Sequence, residues 1–189
     1  MTLRNTTESW GWLARVLHWV VAAIILYMLA LGVYMVRLDD IFARFALTQT
    51  HKSWGFVVFT LACVRLAWRL VNRAAPRDPP DMKPWERALA RGLHWGFYAL
   101  MVALPLSGWL MASASPLQDS YGIKNMVFGV FEMPDPFIPG DKATEAAFKL
   151  IHNGAAIALA LMLTLHVGAA LKHHFVLRDD VLKRMTFGR

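Results

Sequence analysis

Hydrophobic residues are gathered into four long blocks along the chain. They run over residues 16–36, 53–71, 92–114 and 150–171. Each is close to the ~20 residues with which a helix rising ~1.5 Å per residue crosses a hydrocarbon core of ~30 Å. None shows the alternation of a barrel strand, and a helix satisfies its own amide groups in lipid. The pattern therefore predicts four transmembrane helices.

The connections between the blocks predict one all-α membrane domain. We expect helices at about 16–36, 52–71, 90–112 and 148–172, forming an up-and-down four-helix bundle over a single domain, 1–189. Proline and glycine punctuate the connections PRDPPDMKPWERA and MPDPFIPGD, and the second is long enough to cap the bundle. The first block exceeds the length of a signal h-region, so we expect it to remain in the mature protein.

The distribution of charge predicts the orientation. Residues 1–15 and 37–52 each carry +1, residues 65–91 carry +4, residues 113–150 carry −2 and the tail after residue 171 carries +3. Basic residues are retained on the cytoplasmic side of a membrane. We therefore expect both termini and the connection between helices two and three in the cytoplasm, in the bacterial inner membrane, and the acidic connection outside.

Composition excludes two other classes. The net charge of +7 is a footprint of nucleic-acid binding, but here the basic residues border apolar spans, where topology and anionic lipid explain them. Cys63 is the only cysteine in the sequence, so there is no intramolecular disulfide and no CxxCH motif for covalent haem. We expect the lipid bilayer, and no nucleic acid, as a partner.

Histidine carries the candidate chemistry. Ionisable side chains inside membrane spans are costly, and each is a functional-site hypothesis by default. Five of the seven histidines lie in the blocks or at their edges: His18, His51, His94, His152 and His166. This concentration predicts a metal or cofactor site inside the bundle.

The spacing on the fourth helix indicates two haems. His152 and His166 lie 14 residues apart, which returns them to within roughly 40° of one face and separates them by about 21 Å along the axis. Topology places His51 level with His152 at the outer side, and His18 roughly level with His166 at the inner side. Neutral imidazole is a good axial ligand for haem iron. A haem held by two histidines has no open position for oxygen and carries electrons.

Cations near these histidines are candidate partners for haem propionates. Lys52 follows His51 and Lys149 lies one turn before His152, on the outer side. On the inner side Arg15 lies one turn before His18, and Arg65 lies 14 residues after His51 on the same helix face. The alternative for Arg65 is that it extends to the cytoplasmic surface without a cofactor.

His94 has two interpretations. The segments ARVLHW at 14–19 and ARGLHW at 90–95 share five of six residues, which would make His94 the inner-haem partner of His18. The pair on helix four favours His166 instead, and then His94 is a candidate for contact with a quinone or a propionate. Any single buried histidine can also be a structural hydrogen-bonding residue.

Taken together, these motifs resemble the bacterial cytochrome b561 family over nearly the whole chain. The similarity rests on RxxHW at the start of helix one, His51, LHWxxY followed by ALPLSG on helix three, HN and LHxxAALKHHF on helix four, and the basic tail. The resemblance implies four helices, two haems b and reactivity with ubiquinone. It carries over axial ligation as His18 with His166 and His51 with His152.

The family activity that the resemblance implies is an oxidoreductase reaction: oxidation of superoxide on the periplasmic side and reduction of ubiquinone. Electrons would pass from the outer haem to the inner haem and then to the quinone. A superoxide anion is steered best by a positive surface. The two outer connections sum to −1, which does not favour that substrate.

Two other functions compete with this one. The first is an electron-transfer module that takes electrons from a periplasmic redox protein or dehydrogenase docked on the acidic outer connection. The second is a membrane protein or transporter without haem, which a red membrane fraction would refute. The spans are not broken or repeat-inverted as in many transporters. The sequence therefore favours a respiratory electron-transport role.

Overall fold

Four long helices dominate the structure, a computed structural model that describes residues 2–137 and 140–186. These helices, long and apolar enough to cross a membrane, are α1 (Trp12–Met35), α2 (Ile41–Val71), α3 (Pro84–Ser113) and α5 (Lys142–Leu171). Between α3 and α5 lie the short helix α4 (Leu117–Tyr121) and two strands, β1 (Met126–Val127) and β2 (Phe131–Glu132). A π-helical turn, Lys172–Leu177, extends α5, and helix α6 (Val181–Thr186) follows. The predicted four-helix membrane fold is confirmed.

The helices begin earlier than the hydrophobic blocks, and at α2 and α5 an aspartate outside the apolar region caps the first turn. Asp40 accepts hydrogen bonds from the N–H groups of Phe42 and Ala43 at the start of α2. Asp141 caps α5 in the same way, and a proline opens α3. His51 therefore does not open helix two, as the hydrophobicity suggested, but lies ten residues after its first residue.

The helices pack most closely in the order α1 with α2, α2 with α3, and α3 with α5. A cluster of buried apolar side chains fills the middle of the bundle: Val21, Ile25, Val58, Ala62, Met101 and Leu159. In the described part of the chain, the backbone of α5 approaches that of α3 at many positions and those of α1 and α2 at few. The space between α5 and the α1–α2 pair is therefore bridged mainly by side chains.

The connection between α3 and α5 folds into a cap over one end of the bundle. β1 and β2 form an antiparallel hairpin with Val127 opposite Phe131. Asp135 accepts hydrogen bonds from the Ser113 hydroxyl, at 2.8 Å, and from the Asn125 side-chain amide. Ser113 and Asn125 are fully buried. These bonds tie the cap to the end of α3.

Both chain ends and the proline-rich connector meet at the opposite end of the bundle. Trp19 Nε1 donates to the carbonyl oxygen of Met185 at 3.0 Å, and Arg184 donates to the carbonyl oxygen of Arg77 at 2.7 Å. Asn5 donates to the carbonyl oxygen of Ala74. The N-terminal segment, the connector after α2 and the C-terminal helix therefore lie on the same side.

Candidate functional site

Four helices place their candidate side chains at two levels of the bundle. On each helix, two positions lie fourteen residues apart: 18 and 32 on α1, 51 and 65 on α2, 94 and 108 on α3, 152 and 166 on α5. Such a pair lies about 21 Å apart along the helix axis. One level, called here the inner level, contains His18, Arg65, His94 and His166. The other, the outer level, contains Gly32, His51, Gly108 and His152.

The inner level brings three histidines and an arginine together. The ring centres of His18 and His166 are 6.1 Å apart, and those of His94 and His166 are 5.5 Å apart. Arg65 Nη2 donates to His18 Nδ1 at 2.8 Å, and its guanidinium carbon lies 5.8 Å from the centre of the Tyr98 ring. The four residues line one cavity among α1, α2, α3 and α5. The structure therefore places all of the predicted inner histidines in contact.

The outer level is built from one pair. The ring centres of His51 and His152 are 6.3 Å apart. His152 Nδ1 donates to the carbonyl oxygen of Leu104 at 3.0 Å and lies 3.1 Å from the Ser107 hydroxyl. His51 Nδ1 is buried without a hydrogen-bond partner among the described residues. The predicted outer histidines thus face each other from α2 and α5.

Hydrogen bonding fixes which ring nitrogen is free. His152 and His94 each donate from Nδ1 to a backbone carbonyl, the latter to Ala90 at 2.6 Å, which leaves the lone pair on Nε2. This is the usual arrangement of a metal-ligating histidine. His18 accepts from Arg65 at Nδ1. A neutral His18 in this arrangement carries its proton on Nε2, so metal binding at Nε2 requires Arg65 to release Nδ1.

The structure places the three other predicted cations away from the cluster of inner histidines. Arg15 is buried one turn before His18, but its guanidinium donates to the carbonyl oxygen of Thr186 at 3.3 Å and so contacts the C-terminal helix. Lys52 is partly buried, and its ammonium group interacts electrostatically with the Asp135 carboxylate of the cap. Lys149 is exposed on α5.

Two glycines belong to the outer level and were missed in the sequence. A Cβ added to Gly32 would lie 3.5 Å from His51 Cε1, and one added to Gly108 would lie 3.1 Å from His152 Cε1. Their lack of a side chain lets the rings lie against the neighbouring helices. The sequence spacing could have indicated them. Gly32 follows His18, and Gly108 follows His94, by the same fourteen residues that separate His152 from His166.

A family model described as prokaryotic cytochrome b561 matches residues 9–188. The chain belongs to this family. The cytochrome b561 homolog 2 of Escherichia coli strain K12 is 33% identical over 187 residues, covering 98% of this chain and 95% of the relative. The E. coli cytochrome b561 homolog 1 is 29% identical over 72% of this chain and 73% of its own. A Yersinia pestis protein named probable superoxide oxidase CybB is 32% identical over 71% of this chain and 72% of its own.

Membership of the b561 family settles the general class. Members are membrane cytochromes, so this chain is a multi-pass inner-membrane protein of electron transfer, and the family implies a b-type haem. The resemblance to the cytochrome b561 family, which rested on the sequence motifs, is confirmed. The residues that hold the haem, the number of haems and the reacting molecules belong to the proposal that follows.

Proposed function

We propose that the chain holds two b haems, one between His18 and His166 and one between His51 and His152, and passes electrons from superoxide on the outer side to ubiquinone. The proposal includes the orientation read from the charges, with both termini in the cytoplasm and the cap in the periplasm. The haem assignment is supported by the short distances between the rings of the two histidine pairs. A bound haem would supply a one-electron redox centre at each level.

The ring separations fit one metal ion per pair. An imidazole nitrogen binds a transition metal at about 2.0–2.1 Å, so the centres of two imidazole rings that bound one ion would lie no more than about 6.4 Å apart. The observed 6.1 Å and 6.3 Å are close to this value. The hydrogen bond from His152 Nδ1 to Leu104, which leaves the lone pair on Nε2, supports the same role. Two histidines holding one haem would leave its iron without an open coordination position, which would favour electron transfer over oxygen chemistry.

Arg65 is the propionate partner that we propose at the inner level. A guanidinium among apolar helices needs an anion, and the described neighbours Tyr98 and His18 do not supply a carboxylate. Moving the guanidinium to a propionate would also free His18 Nδ1. Lys52 and Lys149 are the corresponding outer candidates.

His94 lies beside His166, and we assign it contact with a propionate or a quinone. Arg15 is a weaker propionate candidate, because its guanidinium contacts α6.

Superoxide is supported as the donor by the name of the Yersinia relative, which covers about seven tenths of the chain. A second candidate function is supported by the outer charge. The connection over residues 113–150 carries a net −2, which suits docking of a basic periplasmic redox protein better than attraction of a small anion. In that case the chain couples such a protein or a dehydrogenase to the quinone pool.

The haem assignment is tested by the reduced-minus-oxidised spectrum and pyridine haemochrome of purified protein. We expect two haems b per chain, with His152→Ala and His166→Ala each removing mainly one. His174→Ala, in the π-helical turn after α5 and at neither histidine level, is the matched control and should keep both. Folded wild-type protein without haem would contradict the proposal, as would loss of the same haem in both variants.

The donor is tested on the same preparation by stopped-flow absorbance. Enzymatically generated superoxide should reduce the haems, and added decylubiquinone should reoxidise them. Superoxide dismutase should abolish the first step. Reduction that persists with the dismutase, or that requires an added periplasmic protein, would reject superoxide and favour the second candidate.

A further inference from the structure

The last turns of α2 carry a group of buried hydrogen-bond donors that have no acceptor among the described residues. Its members are Trp68 Nε1, Arg69 Nη1 and Asn72 Nδ2. Asn72 as a whole is only 7% exposed. A buried donor without an acceptor is costly, and all three atoms are donors. This group, called here the donor cluster, therefore suits an anion that the described part of the chain does not supply.

The donor cluster lies on the side of α2 that faces the inner level. At about 100° per residue, Trp68, Arg69 and Asn72 all lie within about 60° of Arg65 around the helix axis. Arg65 lines the cavity that the inner histidines share. The Arg69 guanidinium also interacts electrostatically with the His94 imidazole. The cluster is therefore placed beside the inner histidines.

The N-terminal segment covers the donor cluster at the end of the bundle. The guanidinium carbon of Arg69 lies 5.9 Å from the centre of the Trp10 ring. The N–H of Arg77, just beyond α2, donates to the carbonyl oxygen of Thr7 at 3.0 Å. This cover shields Arg69 Nη1 from water, and a shielded charge acts more strongly on a charge near it.

Acidic residues at this end of the bundle are engaged with other cations. The ion pairs here among the described residues are Asp78 with Arg87 and Arg91, Glu86 with Lys172, Asp179 with His173, and Asp180 with Arg184. None of these pairs includes Arg65 or Arg69. At the outer level, by contrast, Lys52 interacts with the carboxylate of Asp135. Positive charge is therefore less balanced at the inner level than at the outer one.

Two neighbouring guanidiniums match the two propionates that a haem carries on one edge of its ring. Arg65 accounts for one propionate in the proposed function. Arg69 follows it by four residues, a spacing that places side chains beside each other on a helix, with Cβ atoms about 5–6 Å apart. A guanidinium binds a carboxylate through paired N–H groups. Trp68 and Asn72 offer further donors to the second carboxylate.

We propose that Arg69, with Trp68 and Asn72, binds the second propionate of the inner haem, and that its charge raises the midpoint potential of that haem. The proposal rests on the proposed function for the presence of the haem. A cation near the iron stabilises the ferrous form, which carries one positive charge fewer. This favours the transfer of one electron from the ferrous outer haem to the ferric inner haem.

Potentiometric titration of the purified haem-loaded protein tests the role of Arg69. In Arg69→Gln, the equilibrium constant for reduction of the inner haem should fall about tenfold, which is ~59 mV for one electron. The inner component is the one that is missing from His166→Ala. The outer component should change by about twofold or less, because the charge is further away. A wild-type potential of the inner component in Arg69→Gln would overturn the proposal.

Arg73→Gln is the matched control, because it makes the same change one turn further along. Arg73 is exposed, and its Nε donates to the carbonyl oxygen of Leu70 at 3.2 Å. Water and salt screen such a charge, so both haem potentials should stay at their wild-type values. An equal fall of the inner potential in Arg73→Gln and Arg69→Gln would show a general surface-charge effect and reject the assignment to Arg69.

Two further variants distinguish propionate binding from a structural role. Arg69→Lys keeps the charge and should hold the inner potential within about threefold of wild type, and it should retain the haem even if Arg69→Gln loses it. Trp68→Phe keeps an aromatic ring and removes the indole N–H, so a propionate-bending band in the resonance Raman spectrum should shift. Loss of the inner haem from both Arg69 variants, or unaltered propionate bands in Trp68→Phe, would contradict the proposal.

Haem content, measured by pyridine haemochrome on the same samples, separates this proposal from the proposed function. Two haems per wild-type chain with an unaltered inner potential in Arg69→Gln would reject the role of Arg69 and retain the di-haem assignment. Wild-type protein without haem would overturn both.

Discussion

At the scale of the residue, each outer histidine is set against a glycine of a neighbouring helix. His51 of α2 lies against Gly32 of α1, and His152 of α5 lies against Gly108 of α3. Because no side chain intervenes, each ring can lie against the backbone of the neighbouring helix. The glycines therefore act on the candidate ligands through shape.

Gly108→Ala tests this role. The new Cβ would lie 3.1 Å from His152 Cε1 and 3.3 Å from Nδ1, so the ring must shift by a few tenths of an ångström and its hydrogen bond to Leu104 must weaken. We expect loss or altered absorbance of the outer haem, read from reduced-minus-oxidised spectra. Gly92→Ala on the same helix is the control, because its Cβ meets nothing within 4 Å. An unchanged spectrum in Gly108→Ala would show that the close approach is not needed.

At the scale of the element, the cap is held to the bundle by a buried polar network. The carboxylate of Asp135 receives hydrogen bonds from two side chains that are almost completely inaccessible, Ser113 and Asn125. Trp109 Nε1 adds a hydrogen bond to the carbonyl oxygen of Pro134 at 3.1 Å. Buried donors without acceptors are costly, so the network fixes the cap to the end of α3.

Asp135→Ala should therefore loosen the cap. Two buried donors lose their acceptor, which we expect to cost about 2–4 kcal/mol of stability. The measurement is the thermal unfolding midpoint in detergent, together with hydrogen exchange over residues 122–137. Glu132→Ala removes an acid from the same cap but only an exposed, solvent-screened pair with Lys124, and should lower the unfolding midpoint much less. Equal stability of the two variants would contradict the network's role.

At the scale of the whole molecule, the structure gathers the two chain ends and the connector after α2 on one side and the cap on the other. The charge distribution predicts that the first side is cytoplasmic. Such an arrangement places the acidic cap and the outer histidine pair toward the periplasm. The direction in which a donor approaches the protein depends on this orientation.

Cysteine labelling checks the orientation. In a Cys63→Ala background, Lys183→Cys on α6 should react with a membrane-impermeant maleimide in inverted vesicles and not in right-side-out spheroplasts. Lys124→Cys in the cap should show the opposite pattern. Both lysines are exposed, so accessibility to the reagent is not limiting. Reversed labelling would place the termini in the periplasm and invert the proposed electron path.

Much of the inner level could be predicted because membrane burial restricts which polar residues occur. His18, His94, His166 and Arg65 stand out in apolar sequence, and the structure brings all four to one cavity. The start of α2 was wrong by about ten residues, because hydropathy reports the lipid boundary and not the helix end that Asp40 caps. The task of Arg15 was not foreseen, since its contact at Thr186 lies 171 residues away.

By itself, the sequence determined the class of fold, the number of spans and the candidate histidines, because each depends on local composition and helical periodicity. Only the tertiary structure decided that His18 accepts from Arg65, that glycines back the outer pair, and that the cap and α2 enclose a cavity. These features join residues far apart in the chain. They depend on how helices pack, which a one-dimensional pattern does not encode.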